Sequence, residues 1–249
     1  MRDDAAGGAD ESAQTAPRSL AESAYAAMRQ QILDGGFEPG AKLRIDDLKE
    51  RYNVSSSTIR VSLTRLVGEA LVTCEEQRGF RVAPVSLDDF RDLTAVRILN
   101  ENDALRQSIA AGDKTWEINL LTSFHWLSKV EERRRVDPAG TLSEFEKCNR
   151  EFHHALLAAC PSRWLHQLIG LLLQQSERYR HMAVSRRTTQ RDVHAEHQAI
   201  FDAAIARDAE LACKLNAEHI ERTFTALRAV LESRPAEKRS AKARSRLTT

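Results

Sequence analysis

NVSSSTIRVSLTRLVGEALV, residues 53–72, decides how the N-terminal part of the chain is read. Wound as a helix from Ser57, it puts Ile59, Leu63, Leu66 and Val67 on one stripe, the i, i+4, i+7, i+8 spacing of a buried face. Ser57, Thr64 and Arg65 lie roughly opposite, with Arg60 at the edge on an arm long enough to reach around. A face built for water alone would more usually carry Glu and Lys. This one is short, hydroxylated and charged only by arginine.

The flanks give that face a context. Upstream, Ser19 and Glu22 fit a capping box opening a helix through Ala24, Tyr25, Met28, Ile32 and Leu33, which stops at Gly35-Gly36. FEPGAKL is a turn around Pro39-Gly40, IDDLKERY a short helix, and Asn53-Val54 a tight turn. Downstream, LVTCEE and FRVAPV are two extended pieces around QRG, closed by Pro84. Three short helices followed by a hairpin outline a winged helix-turn-helix, whose second paired helix enters the major groove of DNA. Ser55, Ser57 and Thr58 then suit phosphates at a helix N-terminus. Arg60 and Arg65 can reach phosphate or guanine, and Arg78 and Arg81 belong to the wing. Residues 19–85 hold nine Lys/Arg and nine Asp/Glu, so DNA affinity must come from where arginines stand rather than from bulk charge.

The totals agree. With 249 residues, 42% hydrophobic and 29% charged, the chain is an ordinary globular protein of one large or two smaller domains. Its net charge of +1 gives no global pull toward nucleic acid or membrane. No run approaches the roughly 18 apolar residues of a membrane span, and MRDDAAGGADESAQTAP lacks the apolar stretch of a secretory signal. Cys74, Cys148, Cys160 and Cys213 are scattered without a C-x-x-C, as expected of cytoplasmic free thiols. Residues 1–18 read as a disordered tail, and residues 233–249, with six Lys/Arg against one Glu, as a basic one. Between residues 86 and 232 the texture is long amphipathic helices with short breaks. The expected fold is therefore mainly α: a winged helix-turn-helix over 19–85 and an all-helical bundle of six to seven helices over 86–232.

All eight histidines lie in that bundle. Asn149 and His153 are i, i+4 in CNREFHHALL and share a helix face; His194 and His197 are i, i+3 in DVHAEHQAIF; His219 lies 22 positions beyond His197. One oxygen ligand and three imidazoles on three helices would bind a divalent transition metal and leave positions open. Spacing does not establish that these helices converge, and each histidine alone has an ordinary structural explanation.

With those residues in view, the N-terminal module resembles the DNA-binding domain of GntR-type transcription regulators, from AYAAMRQQILDGGFEPGAKLR through VSSSTIRVSLTRLVGEALV to QRGFRVAPVS. The remainder resembles the FCD effector domain of the FadR subgroup, through DLTAVRILNENDAL, NREFH and EHQAIFDAAIARDAELA. The resemblance implies that Asn149, His153, His197 and His219 hold a metal such as zinc or nickel. That metal would help bind a small organic acid, with Arg97 in the AVR motif, its helical neighbour Glu101, and Arg180 in the cavity. Arg97 pairing with Glu101 at i, i+4 is the structural alternative, and Arg178 is a weaker cavity candidate. LVTCEEQRGFRVA and the KLR…RY segment are similar to the CsiR-like branch, which points to a dicarboxylate. The resemblance further implies a cytoplasmic homodimer on a pseudo-palindromic operator, acting as a repressor and having no membrane partner.

Two departures stand out. The family's S-R-T-P-V-R-E-A-L reads Ser55-Ser56-Ser57-Thr58-Ile59-Arg60-Val61-Ser62-Leu63 here, so Ser56 replaces an arginine and Arg60 keeps the second. Losing one guanine reader costs about 1–3 kcal/mol of discrimination. Asn149 stands where the family also uses Asp, which removes one negative ligand. Two rival readings remain at this stage: a metal-dependent hydrolase using the same histidines, and a DNA-binding protein whose bundle only dimerises.

Overall fold

The structure, a computed structural model, describes residues 19–75, 79–183 and 191–232. The two expected tails and Arg78 lie outside the described residues. Helix α1 (Leu20–Leu33) opens as its capping box demands, with the Ser19 hydroxyl accepting from the Glu22 amide at 3.2 Å. Helix α2 (Ile45–Tyr52) ends at Asn53, whose left-handed φ of 51° turns the chain into α3 (Ser56–Gly68). Ser55 caps α3 by accepting from the Thr58 amide at 3.2 Å, so the helix begins one residue before the expected Ser57. Ile59, Leu63 and Leu66 are fully buried against Met28, Ile32, Leu33 and Leu48, and the apolar stripe is the core of this module.

A strand was not expected in FEPGAKL. Lys42–Leu43 forms β1, pairing antiparallel with β3 (Gly79–Val82), which pairs in turn with β2 (Val72–Glu75) in the order β1-β3-β2. The turn supplies the reason: Gly40, at φ 77°, lets its amide donate to Val82 O while Val82 N donates to Ala41 O. Two backbone bonds hold residues 42–43 against the hairpin.

Six helices follow among the described residues: α4 (Leu87–Ala111), α5 (Lys114–Arg134), α6 (Leu142–Leu157), α7 (Arg163–Ala183), α8 (Val193–Ile205) and α9 (Ala209–Glu232). Ser86, Asp113, Asp192 and Asp208 accept from amides in the first turns of α4, α5, α8 and α9. A second core of Leu105, Leu120, Leu127, Phe152, Ile200 and their neighbours fills the bundle. A third, smaller cluster of Phe90, Tyr179, Phe224 and Leu227 joins α4, α7 and α9. No described helix is long and apolar enough to cross a membrane.

Candidate metal centre and DNA-facing helix

Helix α6 carries Asn149 and His153 on its buried face, α8 brings His197 and α9 brings His219. The rings converge. Centroids are 5.7 Å apart for His153 and His197, 5.5 Å for His153 and His219, and 4.6 Å for His197 and His219. Candidate ligand nitrogens from the three lie within 4.8 Å of one another. Two nitrogens bound to one zinc sit at most about 4.2 Å apart, twice the usual Zn–N length, so small ring rotations would close the set. Asn149, 5% exposed, stands one turn before His153 on the same face.

The surroundings prepare these imidazoles for a cation. His197 Nδ1 lies 2.6 Å from Glu131 Oε1, and His219 Nδ1 lies 2.9 Å from Glu196 Oε2. A carboxylate at Nδ1 fixes the proton there and leaves the Nε2 lone pair for a metal. The His197 Nε2 atom is buried without a hydrogen-bond partner, which is costly unless a ligand is meant to sit there. Burial holds the His153 and His219 pKa values well below the usual imidazole range, and the other imidazoles and the charges of Arg97 and Arg180 push the same way. Neutral imidazole is the ligating form. The donor set thus fits a divalent transition ion.

Several contributors were not foreseen. Glu131, on α5, serves two histidines at once, since its Oε2 is 2.9 Å from His194 Nδ1. His194 also lines a surface cavity of about 420 Å³ with His125, Ser128, Lys129, Glu132 and Arg135. Glu196, next to His197 in sequence, points off the His197 face and reaches His219 on the neighbouring helix. Arg191 clamps this pair, donating to both Glu196 oxygens and to His219 O. None of these partners has a fixed spacing from its histidine, because each contact crosses between helices. Only the run HAEH, with an acid beside a candidate ligand, offered a signal.

The two expected effector arginines meet at one hydroxyl. Arg97 donates from Nε to Glu101 at 2.7 Å and from Nη1 to Ser176 Oγ at 2.8 Å. Arg180 grips both oxygens of Glu146 and reaches the same Ser176 Oγ at 3.2 Å. The anticipated Arg97–Glu101 pair is therefore present, and it does not remove Arg97 from the neighbourhood of the histidines. Arg178 is a correction: its guanidinium donates to the Ala83 carbonyl at the end of the wing, so it faces the N-terminal module rather than the cavity. Glu146, Glu177 and His181 form a second cluster of potential ligands, but Arg180 and Arg150 occupy the two carboxylates. That makes it an ion-pair network.

On α3, Ser57, Arg60 and Thr64 are exposed, and Arg60 has no acidic partner among the described residues. Ser55 Oγ lies 2.7 Å from Ser57 Oγ and 2.9 Å from Thr58 Oγ1, so the hydroxyls form a cluster around the cap, with Ser56 half-buried beside them. Arg65 is engaged elsewhere: it is 2.7 Å from Glu22 and its guanidinium lies 3.6 Å from the centre of the Tyr25 ring. Arg81 donates to Gly40 O at 3.1 Å at the base of the sheet. Both are therefore held by partners within the module, and Arg60 is the arginine of this helix with no such partner among the described residues.

Comparisons with known proteins agree with this architecture. A family model described as bacterial regulatory proteins, gntR family, matches residues 20–82, and one described as the FCD domain matches residues 92–222. The chain is 44% identical over 211 residues to the uncharacterized HTH-type transcriptional regulator BphR of Paraburkholderia xenovorans, covering 85% of this chain and 86% of the relative. It is 32% identical over 200 residues to the HTH-type transcriptional repressor GlaR of Escherichia coli, covering 79% and 90%. Among solved structures, E. coli McbR/YncC matches 85% of this chain and 98% of its own with a TM-score of 0.70 at 19% identity, a likeness of fold.

Proposed function

The chain belongs to the gntR family of bacterial regulatory proteins, with a DNA-binding module followed by an FCD domain, and on that premise we propose that it is a metal-dependent sensor of a small organic acid. The family and the relatives are DNA-binding transcriptional regulators, not enzymes. The observation that carries the sensing half is the orphaned, buried Nε2 of His197 facing two further imidazoles, with arginines in electrical reach.

In this reading Asn149, His153, His197 and His219 hold one divalent ion, zinc or nickel, which supplies a Lewis-acidic position for a carboxylate oxygen. Arg97 and Arg180 orient the acid through their guanidinium forks, the geometry suited to a carboxylate. Two positive forks beside one metal favour a dicarboxylate over a monocarboxylate. Glu101 and Glu146 hold the forks until the acid arrives.

On the DNA side, a homodimer places two copies of α3 in successive major grooves of a pseudo-palindromic operator in the cytoplasm, with Ser55, Ser56, Ser57 and Thr58 on phosphate and Arg60 on a base or phosphate. Arg65 reaches DNA only by leaving Glu22 and Tyr25. A repressor role has support in the 32% identical relative that carries that description. Release requires the acid to bind the DNA-free form more tightly; a full swing from 1:99 to 99:1 needs about 5.5 kcal/mol of such preference. The test is a mobility-shift titration of metal-loaded protein on the DNA upstream of its own coding sequence, with and without a panel of mono- and dicarboxylates. Dissociation by a dicarboxylate is the expected result. Affinity unchanged across the panel contradicts the sensing half and leaves the DNA half intact.

A further inference from the structure

The C-terminal half of α7 is the seam of the molecule. Gln174 Nε2 donates to Glu69 Oε2 at 3.0 Å, and its Oε1 accepts from Arg29 at 2.6 Å. Gln175 Nε2 donates to the Glu69 carbonyl at 2.8 Å. Ser176, turned about 100° further round the helix, is fully buried and accepts from both Arg97 and Arg180. Arg178 holds Ala83 O, the Tyr179 hydroxyl donates to Asp89 at 2.5 Å, and His181 lies 3.4 Å from Asp34 at the end of α1. Within eight residues, α7 touches the exit of α3, the end of the wing, the start of α4, the end of α1 and the arginine pair.

Glu69 is the residue on which this seam closes. It is the C-cap of α3, and its side chain takes hydrogen bonds from Tyr25, Arg29 and Gln174. Burial pushes its carboxyl up, but those three donors outweigh burial and hold it below the ordinary carboxylate value. We propose that Glu69 is a positioning residue that sets the pose of α3, and that Gln174 and Gln175 convey to it the state of the arginine pair sensed at Ser176. The proposal rests on the reading of Arg97 and Arg180 as acid-facing groups. A helix moves as a rod, so when a guanidinium turns toward a carboxylate and leaves Ser176, the turn of α7 carrying Gln174 and Gln175 is freed with it. Glu69 and Arg60 are nine residues apart, about 14 Å of helix, so a small tilt at one end is a large displacement at the other.

Hydrogen exchange on the full-length protein tests this without an identified acid or operator. Four chains are compared: wild type, Ser176→Ala, Gln174→Ala/Gln175→Ala, and the triple variant. Ser176→Ala, a change at the arginine pair, should accelerate amide exchange of residues 62–69 by about twofold or more, the low end for groups sharing one network. The same change should add nothing in the Gln174→Ala/Gln175→Ala background. Multiplying effects, or no response of residues 62–69 to Ser176→Ala, overturns the proposal. Should the double variant fold poorly, Glu69→Gln, which keeps size and loses charge, takes its place with the same expectation. Zn²⁺ added to wild type separates the two readings. It should slow exchange in α6, α8 and α9; failure to do so contradicts the metal centre, while the metal-free cycle still decides the role of Glu69.

Discussion

His197 shows how a single side chain declares a purpose. Its Nδ1 has a carboxylate at 2.6 Å and its Nε2 has nothing, in a residue with no solvent exposure. Glu131 should then matter to metal affinity although it touches no metal: Glu131→Gln is expected to weaken zinc binding about 10–100-fold, measured by competition with a chromogenic chelator, as second-layer substitutions do. The metal-free protein should also carry a pH signature. Burial first, then neighbouring positive groups, keep His153 and His219 below their unfolded value of 6.5. The unfolded chain therefore takes up protons first on acidification, so stability is full above that value and falls as pH drops through it. Urea midpoints should be level above neutrality and lower near about pH 5.5, and His153→Gln should flatten the decline; an acid-insensitive midpoint contradicts this. The residue types and their helices were legible in the sequence through i, i+4 spacing. Convergence, and the acids that fix each tautomer, were not, because they depend on how α5, α6, α8 and α9 pack.

Caps and punctuation carry the elements. Ser19, Ser55, Ser86, Asp113, Asp192 and Asp208 all accept from amides in the first turn of the helix that follows, and at Ser19 and Ser55 such a cap made the start of α1 and, to within one residue, of α3 readable from sequence. Strand β1 was not, since a two-residue strand has no periodicity and exists only through the bonds of Gly40 and Ala41 to Val82. Gly112 illustrates a second illegible cause. It looks like a helix stop by conformation, yet its φ is −60°; what it provides is space, because a Cβ there would meet the Trp116 ring at 2.6 Å and Arg207 at 2.8 Å. Gly112→Ala should therefore destabilise by about 1–3 kcal/mol through overpacking, read as a lower urea midpoint. On α3, the two arginines that the sequence made equivalent should separate. Arg60→Ala should weaken DNA binding and leave stability unchanged. Arg65→Ala should chiefly lower stability, since it removes the cation over the Tyr25 ring and one ionic contact of Glu22. Equal effects of both on DNA affinity would contradict that assignment.

At the scale of the whole molecule, two hydrophobic cores are joined by polar contacts: Glu69 with Gln174 and Gln175, Arg178 with Ala83 O, and His181 with Asp34. Such a seam costs little to rearrange compared with a core, as the proposed switching of the DNA-binding module requires. The order of modules was plain from the change in texture near residue 86. The seam was invisible, because Gln and Arg on a helix face read equally well as solvated surface. What most directly tests the sensing assignment is a calorimetric titration of Zn²⁺ into chelator-stripped protein, beside His153→Ala, His197→Ala and His219→Ala variants of native helicity. A centre made by three helices binds one ion per chain in the wild type and loses that binding in every variant. Undiminished binding in any of the three, or none in the wild type, would contradict it.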